Sequence, residues 1–303
     1  MPKILISTSS FNVENNKHIE TLKNNGFEIL LNPYGRRLTE AEVIQLLQDD
    51  VVGIIAGVEP LTRYVLTAAK NLKVISRCGI GMNSVDIEAT QELNISVFNT
   101  PDAPSVAVAE LTLGIILNLL RKIAEVDHNI RAGNWKALMG NLLAAQTVGI
   151  IGYGRIGKKV AQLLHAFGAK VIVYDKQEPS NYSMDEVLTQ ADIVTLHIPY
   201  ETSSHHLINA EKLALMKSDA ILINTSRGGL IDEAALFSAI KSGNLGGAGL
   251  DSFEEEPYKG ELISLPQIVL TAHMGSYAKE ARMLMEQEAA QNLVKGLQDK
   301  GLI

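Results

Sequence analysis

The feature that most constrains this chain is an alternation, sustained from end to end, of short β-rich apolar runs with amphipathic helical stretches. A helix between two strands carries the chain back across a sheet, so successive strands run the same way; the pattern predicts an α/β fold with parallel sheets. In the first third, residues 3–7, 27–31, 51–56, 73–76 and 95–98 read as strands, with helices near 16–25, 40–48, 64–70 and 85–92. Thr39-Glu40-Ala41-Glu42 forms a capping box, and Gly26 closes the first helix. The two prolines of Asn99-Thr100-Pro101-Asp102-Ala103-Pro104 exclude helix and strand interiors, and one long helix from about 105 to 131, closed by Gly133, leads into a second domain. The alternation restarts at Thr147 with strands at 147–151, 170–174, 192–197, 220–224, 246–250 and 268–270, which suits a doubly wound sheet. Residues 276–299 read as one final helix with apolar Met283, Met285, Ala289, Leu293 and Leu297. No strand follows it, so it is expected to pack back on the first domain, giving a discontinuous domain of residues 1–99 with 276–303 and a second of 100–275.

Gly152-Tyr153-Gly154-Arg155-Ile156-Gly157 follows one predicted strand and opens a predicted helix at 155–167. Alone, a G-x-G-x-x-G run is a weak signal. At a helix N-terminus, unpaired N–H groups and the helix dipole suit a pyrophosphate. Gly152 permits the tight turn, Gly154 the approach of backbone to phosphate, and Gly157 the packing of helix on strand. Asp175, about twenty residues on at the end of the next strand, is placed to bind ribose hydroxyls and to repel a 2′-phosphate. NAD is therefore the expected cofactor, a preference that neighbouring Lys176 weakens slightly.

Three strand ends in the second domain carry groups suited to one reaction. Arg227, in Thr225-Ser226-Arg227-Gly228-Gly229, offers a guanidinium that grips a carboxylate in two-pronged fashion; the bland reading is a surface ion pair. Asp251 and Glu254-Glu255-Glu256-Pro257 follow the next strand. An acidic triplet is usually a solvated loop, but Pro257 holds Glu256 in an extended conformation. His273 stands in Thr271-Ala272-His273-Met274-Gly275-Ser276; histidine is the side-chain type that titrates nearest neutrality, and a carboxylate beside such a ring would favour its charged form and fix its orientation. Arginine for an acid, histidine for a proton and glutamate for the histidine together compose a 2-oxo acid reductase. Spacing alone does not bring them together.

Composition excludes other classes. Lys plus Arg is 27 against 34 for Asp plus Glu, a net charge of −7, which disfavours nucleic acid and anionic membrane. The single cysteine, Cys78, rules out an internal disulfide and a multi-thiolate metal cage, and reads as a small buried residue. The apolar stretch 111–120 is too short for a membrane span, and Ile4-Leu5-Ile6 too brief for a signal peptide, so a cytoplasmic protein is expected. His205-His206 is expected to be a surface pair, its rings pointing in different directions, and no metal is expected. Trp135, the only tryptophan, reads as an interface or core anchor.

From about Leu72 to Arg282 the chain resembles the D-isomer-specific 2-hydroxy acid dehydrogenases, and phosphoglycerate dehydrogenases most closely. The resemblance rests on Asn99-Thr100-Pro101 with Val108-Ala109-Glu110-Leu111, on the run from Gly149 to Gly157, on the run from Asn224 to Gly229 with Asp232-Glu233, on the run from Leu250 to Pro257, and on His273-Met274-Gly275-Ser276. It implies two Rossmann-like domains, the NAD-binding one inserted into the substrate-binding one, with the active-site cleft between them. It implies that Arg227 binds the substrate carboxylate, with Gly79, Ile80 and Gly81 as further substrate contacts, and that Glu256 supports His273 as acid and base. It places Arg155 and Ile156 at the pyrophosphate, Asp175 at the ribose, Ile198 near the adenine, and Thr225, Ser226, Arg227, Asp251, His273, Gly275 and Ser276 along the nicotinamide half. A homodimer or dimer of dimers is implied, built on the helix after Ser105 and the segment around Trp135. Three positions depart from the family: Met82-Asn83-Ser84 in the glycine loop, Ala272 where proline is usual, and a loop Gly57-Val58-Glu59-Pro60-Leu61-Thr62 without the arginine that often holds a substrate phosphate, which leaves that part to Arg63 or Arg77. With the chain ending at Ile303, no appended regulatory domain is expected. The implied reaction is NAD-dependent oxidation of 3-phosphoglycerate in serine biosynthesis. A glyoxylate or hydroxypyruvate reductase would use the same residues. An NAD(H)-gated binding module, like the C-terminal-binding corepressors, is the alternative of another class.

Overall fold

The structure, a computed structural model, describes every residue except Asp49. The chain packs into two units, Met1–Pro104 with Ala278–Ile303, and Ser105–Tyr277.

The first unit runs β1 (Lys3–Ile6), α1 (Lys17–Asn24), β2 (Glu28–Leu31), α2 (Glu40–Leu46), β3 (Val51–Ala56), α3 (Arg63–Ala68), β4 (Val74–Arg77), α4 (Ile87–Glu92) and β5 (Ser96–Asn99). Its sheet is wholly parallel in the order β2-β1-β3-β4-β5. The central strands are almost continuously apolar because both faces are covered. Ile4 and Ile6 join Ile19 and Leu22 of α1 on one face, and Leu5 and Ile54 join Val43, Val65 and Ala89 of α2, α3 and α4 on the other. Each of these Val, Leu and Ile side chains contributes roughly 1.5–3 kcal/mol on burial. Thr39 and Glu42 cap α2 reciprocally, as their spacing predicts.

The second unit runs α5 (Ser105–Arg121), α6 (Ile123–Arg131), β6 (Thr147–Ile151), α7 (Arg155–Ala166), β7 (Lys170–Tyr174), α8 (Met184–Gln190), β8 (Ile193–Leu196), α9 (Ala210–Leu215), β9 (Ile221–Asn224), α10 (Glu233–Lys241), β10 (Gly247–Leu250) and β11 (Ile268–Leu270). Its parallel sheet has the order β7-β6-β8-β9-β10-β11. After β6 the chain turns one way to β7 and later returns on the other side as β8. Their carboxyl ends part there, as they do around ligand sites in doubly wound sheets. The expected α/β class with parallel sheets is met in both units.

Two helices differ from expectation. The long helix breaks at Lys122, whose φ of +54° is left-handed. The break lets the Asn118 side chain accept a 2.8 Å hydrogen bond from Ala124 N, opening a new helix in which no residue is buried. The last helix, α11 (Lys279–Asp299), belongs to the first unit and starts three residues later than expected. Met285, Ala289, Leu293 and Leu297 pack inward, but Met283 is 52% exposed. Among the described residues no helix is long and apolar enough to cross a membrane.

Candidate active site

The glycine turn sits where β6 and β8 part. Gly152 has φ +99°, and its N–H donates to Tyr174 O at 2.8 Å. A Cβ there would strike the His197 carbonyl and lie 2.6 Å from the Ile198 side chain. At Gly157 a Cβ would strike the Gly152 carbonyl, so α7 packs this closely on the strand only with glycine. Gly154 is the N-cap of α7; no side chain caps that helix, and a Cβ at 154 would meet open space. An uncapped N-terminus under an open glycine backbone fits a dinucleotide pyrophosphate.

Asp175 closes the turn from β7. Its Oδ2 accepts from Tyr153 N at 2.5 Å, and its Oδ1 from Gln177 N and Glu178 N at 2.7 and 3.0 Å. Partial burial works to raise its carboxyl, but those three donors and the Lys158 charge outweigh it and hold Asp175 below the usual range. An ionised acceptor thus stands beside the glycine turn and braces it, a second duty that spacing did not reveal. Spacing also missed His197, which burial pushes down to about 3, leaving a neutral ring whose Nε2 lies 3.0 Å from Thr195 Oγ1.

The loop after β9 is anchored on three sides. Asn224 accepts from Ser226 N at 3.0 Å and donates to Arg227 O at 2.8 Å; Ser226 Oγ donates to Leu196 O at 2.7 Å; Thr225 Oγ1 lies 2.9 Å from Thr112 Oγ1 of α5. The Arg227 backbone is therefore fixed by β8, β9 and α5, and its half-buried guanidinium donates to Ser226 O at 2.7 Å. Burial works against the Arg227 charge and the nearby Glu256 carboxylate supports it.

Asp251, buried after β10, accepts from Thr271 Oγ1 at 2.6 Å, Met274 N at 2.8 Å and Gly275 N at 2.8 Å. These bonds clasp the turn in which His273 adopts φ +51°, a conformation costly for a residue with a Cβ. The exposed His273 ring then points its Nδ1 at Glu256, 2.9 Å from each carboxylate oxygen. Glu256 also accepts from Phe253 N at 3.2 Å. Partial burial tends to raise Glu256, but His273, Phe253 N and Arg227 together hold it low, so it is a carboxylate at neutral pH. Replacing Asp251 by alanine would leave the Met274 and Gly275 N–H groups without an acceptor and Thr271 Oγ1 with only a 3.4 Å bond to Leu250 O, and each buried orphan costs roughly 1–3 kcal/mol. Asp251→Ala is therefore expected to lower the urea midpoint sharply; an unchanged midpoint would show that the His273 turn is held by other means.

Arg227, Asp251, Glu256 and His273 are thus gathered at the carboxyl ends of β9, β10 and β11. Gly79, Ile80 and Gly81 belong to the first unit. There Gly79, at φ +145°, donates to Thr100 Oγ1 at 2.8 Å, and Ile80 O accepts from Asn99 Nδ2 at 2.9 Å. Arg63 is committed to Glu92 in an exposed pair, with Asp86 at 3.8 Å, and Arg77 is buried and donates to Cys78 O. Glu59, buried after β3, accepts from Ser7 Oγ and from Gly57 N at 3.0 Å, neither of them a cation. Cys78 is buried, its thiol raised to about 11 by desolvation. Trp135 is 89% exposed and so is not a core anchor. The rings of His205 and His206 do not diverge: they stack with centroids 3.8 Å apart, because His206 takes a left-handed φ of +50°. Among the described residues no cluster fits a metal ion.

Residues 113–275 match the family described as D-isomer specific 2-hydroxyacid dehydrogenase, NAD binding domain. A hydroxypyruvate reductase of Thermotoga maritima is 38% identical over 272 residues, 86% of this chain and 89% of that protein. A D-3-phosphoglycerate dehydrogenase of Methanocaldococcus jannaschii is 38% identical over 273 residues, and there the chain spans only about half (52%) of the relative's length. The crystal structure of a Thermus thermophilus protein superimposes with a TM-score of 0.89 at 36% identity, covering 98% of this chain and 97% of the other. With the fingerprint glycines, the family match and these relatives agreeing, the chain belongs to the D-isomer specific 2-hydroxyacid dehydrogenases, a family of NAD-dependent oxidoreductases.

Proposed function

We propose that this protein interconverts a small D-2-hydroxy acid and its 2-oxo acid, and the observation that carries the reading is the His273–Glu256 pair set beside the Arg227 charge. When bound, NAD supplies or takes up the hydride. Arg227 grips the substrate carboxylate with its planar fork. His273, its Nδ1–H held by Glu256, presents Nε2 to the substrate oxygen, giving a proton to the forming alcohol or taking one from it. Glu256 stabilises the imidazolium and fixes its tautomer, and Asp251 holds the turn that aims it. Gly152, Gly154, Arg155, Ile156, Gly157, Asp175 and Ile198 hold the adenosine and pyrophosphate half; Thr225, Ser226, Asp251, Gly275 and Ser276 line the nicotinamide half.

Oxidation of 3-phosphoglycerate in serine biosynthesis and reduction of glyoxylate or hydroxypyruvate both use this machinery. Two observations favour unphosphorylated acids: Arg63 is already paired with Glu92, and the loop after β3 buries the carboxylate of Glu59 where a phosphate-binding loop would carry a cation. Oxidation of NADH against 3-phosphohydroxypyruvate, hydroxypyruvate, glyoxylate and pyruvate decides between them. Higher kcat/KM for the unphosphorylated acids is expected; a clear preference for the phosphorylated one would assign the serine route. NADH binding with silence across the panel would point to the binding module instead.

The protein is read as a cytoplasmic homodimer or dimer of dimers with no nucleic-acid or membrane partner. Trp135, Met139 and Leu142 are 89%, 91% and 67% exposed, more apolar surface than a monomer's short segment ordinarily shows. Sedimentation should give two or four times the chain mass, and Trp135→Asp should lower it; a monomeric parent would contradict this.

A further inference from the structure

The segment between β8 and α9 holds a histidine that the reaction as described leaves unused. His206 occupies φ +50°, a backbone conformation uncommon for a residue with a Cβ. In that conformation its backbone N–H donates to Gly229 O at 2.8 Å, and its Nε2 lies 2.6 Å from Glu254 Oε1. Gly229 stands two residues after Arg227, and Glu254 two residues before Glu256. One residue therefore grips both the loop that carries the acid-binding guanidinium and the loop that carries the carboxylate behind His273. The two loops also touch directly, since a Cβ at Gly228 would strike the Phe253 and Glu254 backbone. Glu254 is fixed from a third side, its N–H donating to Glu233 Oε1 at 2.8 Å.

We propose that His206 is a positioning residue, a clamp that sets the Arg227 loop against the Glu256 loop, and this rests on the functional reading given above. The His206 and Glu254 side chains are 33% and 37% exposed, so the contact between them adds little to global stability. A decorative surface pair would not require a left-handed histidine bonded through its backbone to one catalytic loop and through its ring to the other. Stacking on His205, itself 3.2 Å from Tyr200 Oη, restricts the ring to the plane in which Nε2 meets Glu254.

The test uses the whole chain with His206→Ala, His206→Gln and Glu254→Ala. It reads kcat and KM for the best 2-oxo acid, the affinity for NADH, the melting temperature, and the affinity of the enzyme–NADH complex for oxamate, an unreactive 2-oxo acid mimic. His206→Ala should lower kcat and weaken oxamate binding, each by roughly ten- to a hundredfold, the scale on which an ångström of misplacement is felt. NADH affinity and melting temperature should hold. His206→Gln, which returns a donor near the Nε2 position, should recover much of the loss. Adding Glu254→Ala to His206→Ala should cost little more, because both cut the same link. Unchanged kcat and oxamate affinity in His206→Ala would overturn the clamp. So would a parallel fall in NADH affinity and melting temperature, which would mark a general structural role. A parent protein that neither turns over any 2-oxo acid nor binds oxamate would remove the functional reading and the clamp with it; an active parent with an indifferent His206→Ala would remove the clamp alone.

Discussion

Replacing His273 by alanine is expected to lower turnover by roughly 10²–10⁴-fold while NADH still binds, the range over which a positioned general acid acts. The expectation follows from how much structure is devoted to this one ring. Three hydrogen bonds to the buried Asp251 hold the turn, His273 takes a left-handed backbone inside it, and both oxygens of Glu256 meet Nδ1. Alanine removes the proton donor but leaves the Asp251 clasp, so the turn and the neighbouring backbone should persist. His273→Asn is the control for strain, because asparagine tolerates a left-handed backbone better than most residues. Both variants should be equally inactive. A His273→Asn enzyme with near-parental kcat would mean that the residue shapes the turn and moves no proton.

Arg227→Ala should raise KM for the 2-oxo acid and lower kcat together, reducing kcat/KM by about 10²-fold or more, since a two-pronged charge-assisted contact is worth about 3 kcal/mol. Arg227→Lys should recover only part of this, because it returns the charge without the planar fork. The variant has a second effect with a fixed sign. Arg227 is one of the groups that hold the Glu256 carboxyl low, so its loss lets that carboxyl rise. Glu256 sits below its unfolded value, so what its ionisation contributes to stability is present above that unfolded value and is lost as pH falls through the folded one. Arg227→Ala should therefore begin to lose this contribution at a higher pH than the parent. Acid denaturation followed by circular dichroism checks this; coincident acid limbs would show that Glu256 owes its state to His273 and the Phe253 N–H alone.

The architecture was legible in the sequence because parallel strands buried on both faces leave short, unbroken apolar runs, and β3 and β6 fall at their expected bounds. The nucleotide turn was legible for a different reason: Gly152 and Gly157 stand where a Cβ would strike backbone, a demand that only one residue type meets. What escaped reading were features set by bonds between residues far apart in the chain. The break at Lys122 needs no glycine or proline; the Asn118 side chain meets the Ala124 N–H across it, and an asparagine mid-helix is an ordinary surface residue until the fold is known. Asp251 was visible as an acid after a strand, but its grip on residues 271–275 depends on β10 and β11 lying side by side. His205 and His206 were expected to diverge because adjacent side chains point in different directions, and with His206 at a left-handed φ their rings stack instead. Arg63, a candidate for a phosphate, is taken by Glu92, a residue 29 positions away that no local pattern connects to it.

The central claim is hydride transfer at a D-configured 2-hydroxy carbon, and its most direct test is the configuration of the product. The whole protein would be incubated with NADH and hydroxypyruvate, the NADH consumed measured by its absorbance, and the glycerate formed resolved on a chiral column. Loss of NADH matched mole for mole by D-glycerate is the expected result. L-glycerate, or glycerate formed without matching loss of NADH, would contradict it.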